Sequence, residues 1–365
     1  MGKRLVVCFD GTWNTPQVDG NDVDEIDRKA ETNVVRMYRS ILGEDTRGIR
    51  RGTPRRKPAI RTLKWYDRGV GTKWYEHIRG GAFGYGLSRN IREGYKFLVD
   101  HYEPDDEIYV FGFSRGAYTA RSLVGIIRNV GLLKKEFARK SDPDANPILM
   151  DGYQIYRTRD GSADTPLAKD FRARHSHEEV RIKVLGVWDT VGALGIPLKV
   201  AEKWNVEHYQ FHDTKLSHIV EHAYHAVAID EHRDNYKPTL WDPPKPAQHI
   251  EQVWFPGAHA DVGGGYPEQP LSDVALHWMQ TRAKLDGHGL EIDPRQEPEV
   301  EQVPFDRCMV TDSFSEFLFG FYRLFRDRYY RPVFATTHGR ESLHEAYRRM
   351  LEVNPQYAPK NAGLL

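Results

Sequence analysis

A doubly wound, mostly parallel α/β sheet is the fold class this sequence predicts, and three observations predict it. Short, solidly apolar runs such as Leu5-Val6-Val7-Cys8-Phe9 and Ile182 to Trp188 read as strands buried on both faces. Segments with apolar residues at helical spacing lie between them. The pentapeptide Gly112-Phe113-Ser114-Arg115-Gly116 joins one such strand to one such helix by a sharp turn.

The elements follow in order. Leu5 to Phe9 is a strand closed by the turn Asp10-Gly11-Thr12, and Thr32 to Leu42 has the apolar spacing of a helix. Ile60 to Tyr66 is a second strand, followed by a glycine-rich loop. Leu87 to Tyr102 is a helix with Ile91, Tyr95, Leu98 and Val99 on one side. Next come strand Ile108 to Phe111, helix Arg115 to Val130, strand Ile182 to Trp188 and helix Leu216 to Ile229. Strand Gln252 to Phe255 and helix Ser272 to Asp286 complete the alternation. Two stretches break the rhythm: a polar, proline-bearing one near 134–177 and a Pro- and Glu-rich one near 286–304. Both read as insertions in a single domain spanning 1–365, because nothing between them has the character of a linker.

Composition narrows the function. The 365 residues hold 52 Lys+Arg against 52 Asp+Glu, and a net charge of +0 argues against nucleic-acid binding driven by bulk charge. No apolar run approaches the ~20 residues of a membrane-spanning helix. The apolar run after Met-Gly-Lys-Arg is too short for a signal-peptide core. Cys8 and Cys308 form neither a disulfide framework nor a zinc pattern. The expectation is a chain that is cytoplasmic as synthesised, with export by a signal-independent route left open. No cofactor motif is present, and neither a cofactor nor a metal is expected.

Gly112-Phe113-Ser114-Arg115-Gly116 matches G-x-S-x-G in the strand–turn–helix setting of a nucleophile elbow, so Ser114 is the candidate nucleophile. A serine at its free pKa needs a histidine base and a carboxylate to orient it. In an α/β-hydrolase the chain order is Ser, then Asp or Glu, then His. Asp189 ends the strand Ile182 to Trp188, and Asp261 follows the strand ending at Phe255. His338 and His344 come after Asp261, whereas His259 would pair with Asp189. The oxyanion hole takes one N–H from the residue after the nucleophile, Arg115, and another from the early loop at Gly11 and Thr12.

Other signals carry two readings each. His218, His222 and His225 fall on one face of the predicted helix Leu216 to Ile229, as packing groups or as metal donors. The arginine-rich stretch Arg47 to Arg61 is a solvated loop or a patch for anionic lipid headgroups. The aromatic run Phe314 to Phe325, interleaved with arginines, is a buried helix or an interfacial surface.

Taken as a set, the motifs carry a resemblance. Val7-Cys8-Phe9-Asp10-Gly11-Thr12-Trp13-Asn14, Gly69-Val70-Gly71-Thr72 and Gly112 to Tyr118 come in order. Gly186-Val187-Trp188-Asp189-Thr190-Val191-Gly192, Ala228 to Arg233 and His259-Ala260-Asp261-Val262-Gly263-Gly264-Gly265-Tyr266 follow. The series resembles the catalytic domain of the first class of type VI secretion phospholipase effectors and the wider α/β-hydrolase family around them. The resemblance implies a serine esterase or lipase of phospholipase A type acting through a Ser-Asp-His triad. It implies Asp261 as the acid and His344 as the base, while the residues themselves leave Asp189 and His259 open as the alternative pair. It also implies a phospholipid or other ester substrate, peripheral membrane contact, and a secretion-system or immunity partner. A cytosolic esterase of small substrates and a catalytically inactive scaffold are the competing readings.

Overall fold

Solidly apolar strands with helices between them can bury both faces of a sheet only if the helices cover it on both sides. The computed structural model takes that form, and describes residues 2–11, 31–46, 56–69, 82–158, 163–191, 216–268, 270–316, 326–336 and 340–364, the side chains of 82–87 aside. Eight strands form one sheet: β1 (Arg4–Phe9), β2 (Glu44–Asp45), β3 (Thr62–Asp67), β4 (Glu107–Phe113), β5 (Ile182–Trp188), β6 (Val220–Ala228), β7 (His249–Phe255) and β8 (Glu341–Leu343). Their order is β2-β3-β1-β4-β5-β6-β7-β8, and each neighbouring pair is parallel.

Alternation along β1 divides the core. Leu5, Val7 and Phe9 pack with α2 (Ala82–His101) and α3 (Arg115–Val130), whereas Val6 and Cys8 pack with α1 (Asn33–Ser40) and α7 (Pro270–Ala283). The stretch near 134–177 contributes α4 (Pro147–Arg157) and α5 (Pro166–His175), whose Leu149, Tyr153 and Phe171 extend the α3 side of the core. The stretch near 286–304 holds single 3-10 turns such as Pro294–Gln296 and Val300–Gln302. A five-residue helix α6 (His259–Gly263) follows β7, α8 (Ser313–Glu316) comes later, and α9 (Glu345–Val353) follows β8.

One expected element is of the wrong type. Val220–Ala228, within the stretch read as a helix, is the strand β6, paired on one side with β5 and on the other with β7. In an extended chain residues three apart point to opposite faces, so His222 and His225 cannot line one face as a helix would have them do. His218 precedes the strand altogether. Among the described residues no group of three or more His, Cys, Asp or Glu is arranged to hold a metal ion.

The strand order reverses between β1 and β4. β1 leads outward to β3 on one side, and the chain then returns to place β4 on the other. In an open parallel sheet the crevice beyond the strand ends at such a switch point is where ligands bind. Asp10 and Gly11 leave β1 there, and Ser114 leaves β4 there.

Candidate active site

Ser114 stands between β4 and α3 with φ 57° and ψ −120°, a left-handed backbone that an ordinary turn avoids. Two glycines make the turn sterically feasible. A Cβ on Gly112 would lie 2.4 Å from the Gly116 carbonyl oxygen, and one on Gly116 would lie 2.2 Å from the Phe9 carbonyl oxygen. The Ser114 N–H donates to the Trp188 carbonyl at 3.1 Å, which ties the elbow to the end of β5.

Asp189 is the next residue of that strand, also left-handed with φ 35°. His259 is the first residue of α6 and comes back over the sheet from the end of β7. Its ring bridges the other two: Nε2 lies 2.8 Å from Ser114 Oγ, and Nδ1 lies 2.5 Å from Asp189 Oδ2. All three are buried. Burial pushes the Asp189 carboxyl up, but the Arg331 guanidinium and His259 outweigh it and hold it well below the usual carboxylate range. An ionised Asp189 only accepts, so Nδ1 carries the proton, and Nε2 offers its lone pair to the Ser114 hydroxyl. Burial also lowers the proton affinity of His259, against the pull of Asp189, and the ring stays neutral more readily than a free imidazole.

Surrounding groups fix the ring. The Phe113 ring lies 4.6 Å from it, and Tyr236 meets it edge-on at 5.0 Å. The His259 N–H donates to Glu231 Oε2 at 3.3 Å, and Glu231 is itself clasped by Arg233 through Nε and Nη2. Behind Asp189, the neutral His225 ring accepts the Thr190 N–H at Nε2, 3.1 Å away. Burial and then Arg121 push the His225 pKa down to about 3.

The pair Asp261 and His344 sits elsewhere. Asp261 Oδ2 accepts the Ala258 N–H at 2.9 Å and the Thr311 N–H at 3.0 Å, and Oδ1 accepts the Thr311 hydroxyl at 2.8 Å. It pins the turn that presents His259. His344 caps α9, accepting the Ala346 N–H at Nδ1, and stacks on Phe255 at 4.5 Å. It follows β8, four strands from β4, which is about 19 Å at ~4.8 Å per strand. That separation keeps His344 from Ser114, whereas the Asp261 carboxylate, in α6 beside His259, is taken up by Ala258 and Thr311.

The oxyanion candidates fare unevenly. Arg115 is the first residue of α3, at the helix end whose dipole favours negative charge. The Gly11 N–H instead donates to Asp10 Oδ1 at 2.7 Å, while Asp10 Oδ2 accepts the hydroxyls of Thr32 and Tyr66. Burial leads those bonds and pushes the Asp10 carboxyl up to about 6. Thr12 lies outside the described residues, as do 47–55 of the basic stretch and 317–325 of the aromatic run. Phe314 is buried, with Arg328 5.0 Å from the centre of its ring. His338 also falls outside the description. Among the described residues no helix is long and apolar enough to cross a membrane.

Sequence reasoning missed Arg331, whose guanidinium grips Asp189. It lies in Arg326-Asp327-Arg328-Tyr329-Tyr330-Arg331, where nothing distinguishes it from its neighbours.

Several known proteins are similar to this chain. A model of the family described as "T6SS, Phospholipase effector Tle1-like, catalytic domain" matches residues 3–282. An uncharacterized protein of Saccharomyces cerevisiae, YEL023C, is 27% identical over 265 residues, which is 66% of this chain and 33% of the yeast protein. The crystal structure of an uncharacterized protein from Pseudomonas aeruginosa is similar at 19% identity and TM-score 0.42, covering 82% of this chain and 48% of that one. The Tle1 effector bound to the VgrG spike of the type 6 secretion system is similar at 17% identity and TM-score 0.40, covering 73% and 51%. The chain thus spans a third of the yeast protein and about half of each solved chain.

Proposed function

We propose that this chain, which belongs to the Tle1-like family of type VI secretion phospholipase effector catalytic domains, hydrolyses phospholipid acyl esters with Ser114 as nucleophile, His259 as base and Asp189 as orienting acid. The observation that carries the reading is the His259 ring, within hydrogen-bond reach of Ser114 on one nitrogen and Asp189 on the other. The family supplies the lipid class of substrate.

In the first half-reaction Ser114 Oγ attacks the acyl carbonyl carbon as its proton passes to His259 Nε2. The carbonyl oxygen becomes an oxyanion beside the N-terminus of α3, where the Arg115 N–H is the candidate donor; one such donor is often worth ~3–4 kcal/mol. Collapse breaks the ester bond, and His259 returns the proton to the departing lysophospholipid oxygen. Water then attacks the acyl-serine by the same route and releases the fatty acid. Asp189 stays ionised throughout and stabilises the imidazolium that forms in between. Asp261 belongs to the frame of the site, holding the turn before His259.

Hydrolysis of vesicles of defined phospholipids, beside a soluble short-chain ester, tests the reading. The wild-type chain is expected to release fatty acid from vesicles, and Ser114→Ala to lose at least about 10⁴-fold in turnover. A fluorophosphonate should modify Ser114. Turnover of the short ester alone would replace the lipid with a small substrate, and turnover of neither would leave a scaffold.

A further inference from the structure

The stretch beyond the family-matched residues reaches back into the site. Arg331 is 0% exposed, and both arms of its fork meet Asp189: Nη1 donates to Oδ1 at 2.6 Å and Nη2 to Oδ2 at 3.0 Å. The same nitrogens donate to the carbonyls of Ala228 and Tyr236. Asn361 Nδ2 in turn donates to the Arg331 carbonyl at 3.0 Å and to that of Ile229 at 2.9 Å. The arginine is therefore fixed at its backbone as well as its head.

Asp189 has about four lone-pair sites to offer. Oδ1 takes Arg331 Nη1 and the Ala228 N–H, and Oδ2 takes Arg331 Nη2 and His259. Rotating the carboxylate would break bonds on both oxygens at once. We propose that Arg331 is a positioning residue for the hydrolysis, aiming Asp189 Oδ2 at His259 Nδ1 and neutralising the buried carboxylate. The inference rests on the Ser114–His259–Asp189 reading. Without the guanidinium, a fully buried Asp189 keeps one backbone donor and the imidazole, and its protonation becomes favourable. A protonated carboxyl no longer demands the Nδ1–H tautomer, and Nε2 then ceases to be a dependable acceptor for the Ser114 proton.

Steady-state hydrolysis of a soluble p-nitrophenyl ester by the full chain decides it, using Arg331→Met, Arg331→Lys, Asp189→Asn, the double variant Asp189→Asn/Arg331→Met, and His259→Ala. Arg331→Met is expected to lower kcat by about 10²- to 10³-fold with KM within about twofold, since aim is lost and substrate contact is not. Arg331→Lys keeps the charge but not the fork, and should recover about tenfold of that loss. In the Asp189→Asn background the Met substitution should cost little more, because both act through one carboxyl. Wild-type kcat in Arg331→Met, or an undiminished loss on top of Asp189→Asn, overturns the inference. Should Arg331→Met fail to fold, the double variant leaves no lone buried charge, and it decides together with Arg331→Lys. A kcat of wild-type size in Arg331→Lys, or a full extra loss in the double variant, then overturns it. Retained turnover in His259→Ala overturns the triad reading and this inference together. A silent His259→Ala beside unaffected Arg331 variants overturns this inference alone.

Discussion

At the scale of single residues, the site depends on two left-handed positions at the ends of adjacent strands, Ser114 and Asp189, each a conformation costing on the order of 1–3 kcal/mol. His259 and His344 both satisfy the chain order Ser, Asp, His, so order alone could not separate them. What separates them is which strand each follows and how far that strand lies from β4, quantities that require the sheet order. The candidate nucleophile was legible because its glycines and its strand–helix setting are local. The partner proposed for it, His259, was legible only as the alternative to His344, because the turn that brings His259 back over the sheet depends on Glu231 and Thr311 from distant parts of the chain. The kinetic contrast is direct: His259→Ala should lose several orders of magnitude in kcat, whereas His344→Ala should stay within about tenfold of wild type. The reverse ranking would restore His344 as the base. The pH profile carries a sign as well. His259 must be neutral to accept the Ser114 proton, and its proton affinity is lowered. Activity is therefore lost as pH falls through a value below histidine's ordinary 6.5, and an acidic limb of kcat/KM above 6.5 would contradict the burial argument.

Elements tell a different story about legibility. The boundaries of α3 and β5 read directly from the sequence, because apolar periodicity and flanking glycines mark the helix and a mostly apolar run marks the strand. β6 did not, since Val220-Glu221-His222-Ala223-Tyr224-His225-Ala226-Val227-Ala228 is rich in residues that helices tolerate, and only pairing with β5 and β7 makes it a strand. At the far edge, His344 is the cap of α9, and burial first, then Arg282 and His277, push its pKa down to about 4. A histidine depressed in the folded state contributes stability that is present above its unfolded value and is lost as pH falls from there toward the folded value. His344→Asn keeps a good capping side chain and removes the titration. Its melting temperature should match wild type near pH 7.5 and fall less between pH 6.5 and pH 4.5. Parallel curves for the two proteins would exclude His344 as a contributor.

For the whole molecule, the parallel sheet and its two-sided core were foreseeable, because runs apolar on both faces have no other stable home. The role of the C-terminal stretch was not, because Arg331 acts across a sequence separation that no local pattern records. A chain ended at residue 325 would lose β8, α9 and the counter-charge of Asp189. Breaking a buried ion pair costs about 3–5 kcal/mol. Such a chain should bind fluorophosphonate at no measurable rate and melt well below the full chain, and labelling at the full rate would show the stretch to be dispensable. The position of Arg331 also has a meaning in time. A ribosome makes Ser114 first, then Asp189, then His259, and only afterwards the arginine that aims them. On the proposed reading, a nascent chain that already holds Ser114, Asp189 and His259 but not yet Arg331 should turn over ester no faster than the Arg331→Met variant.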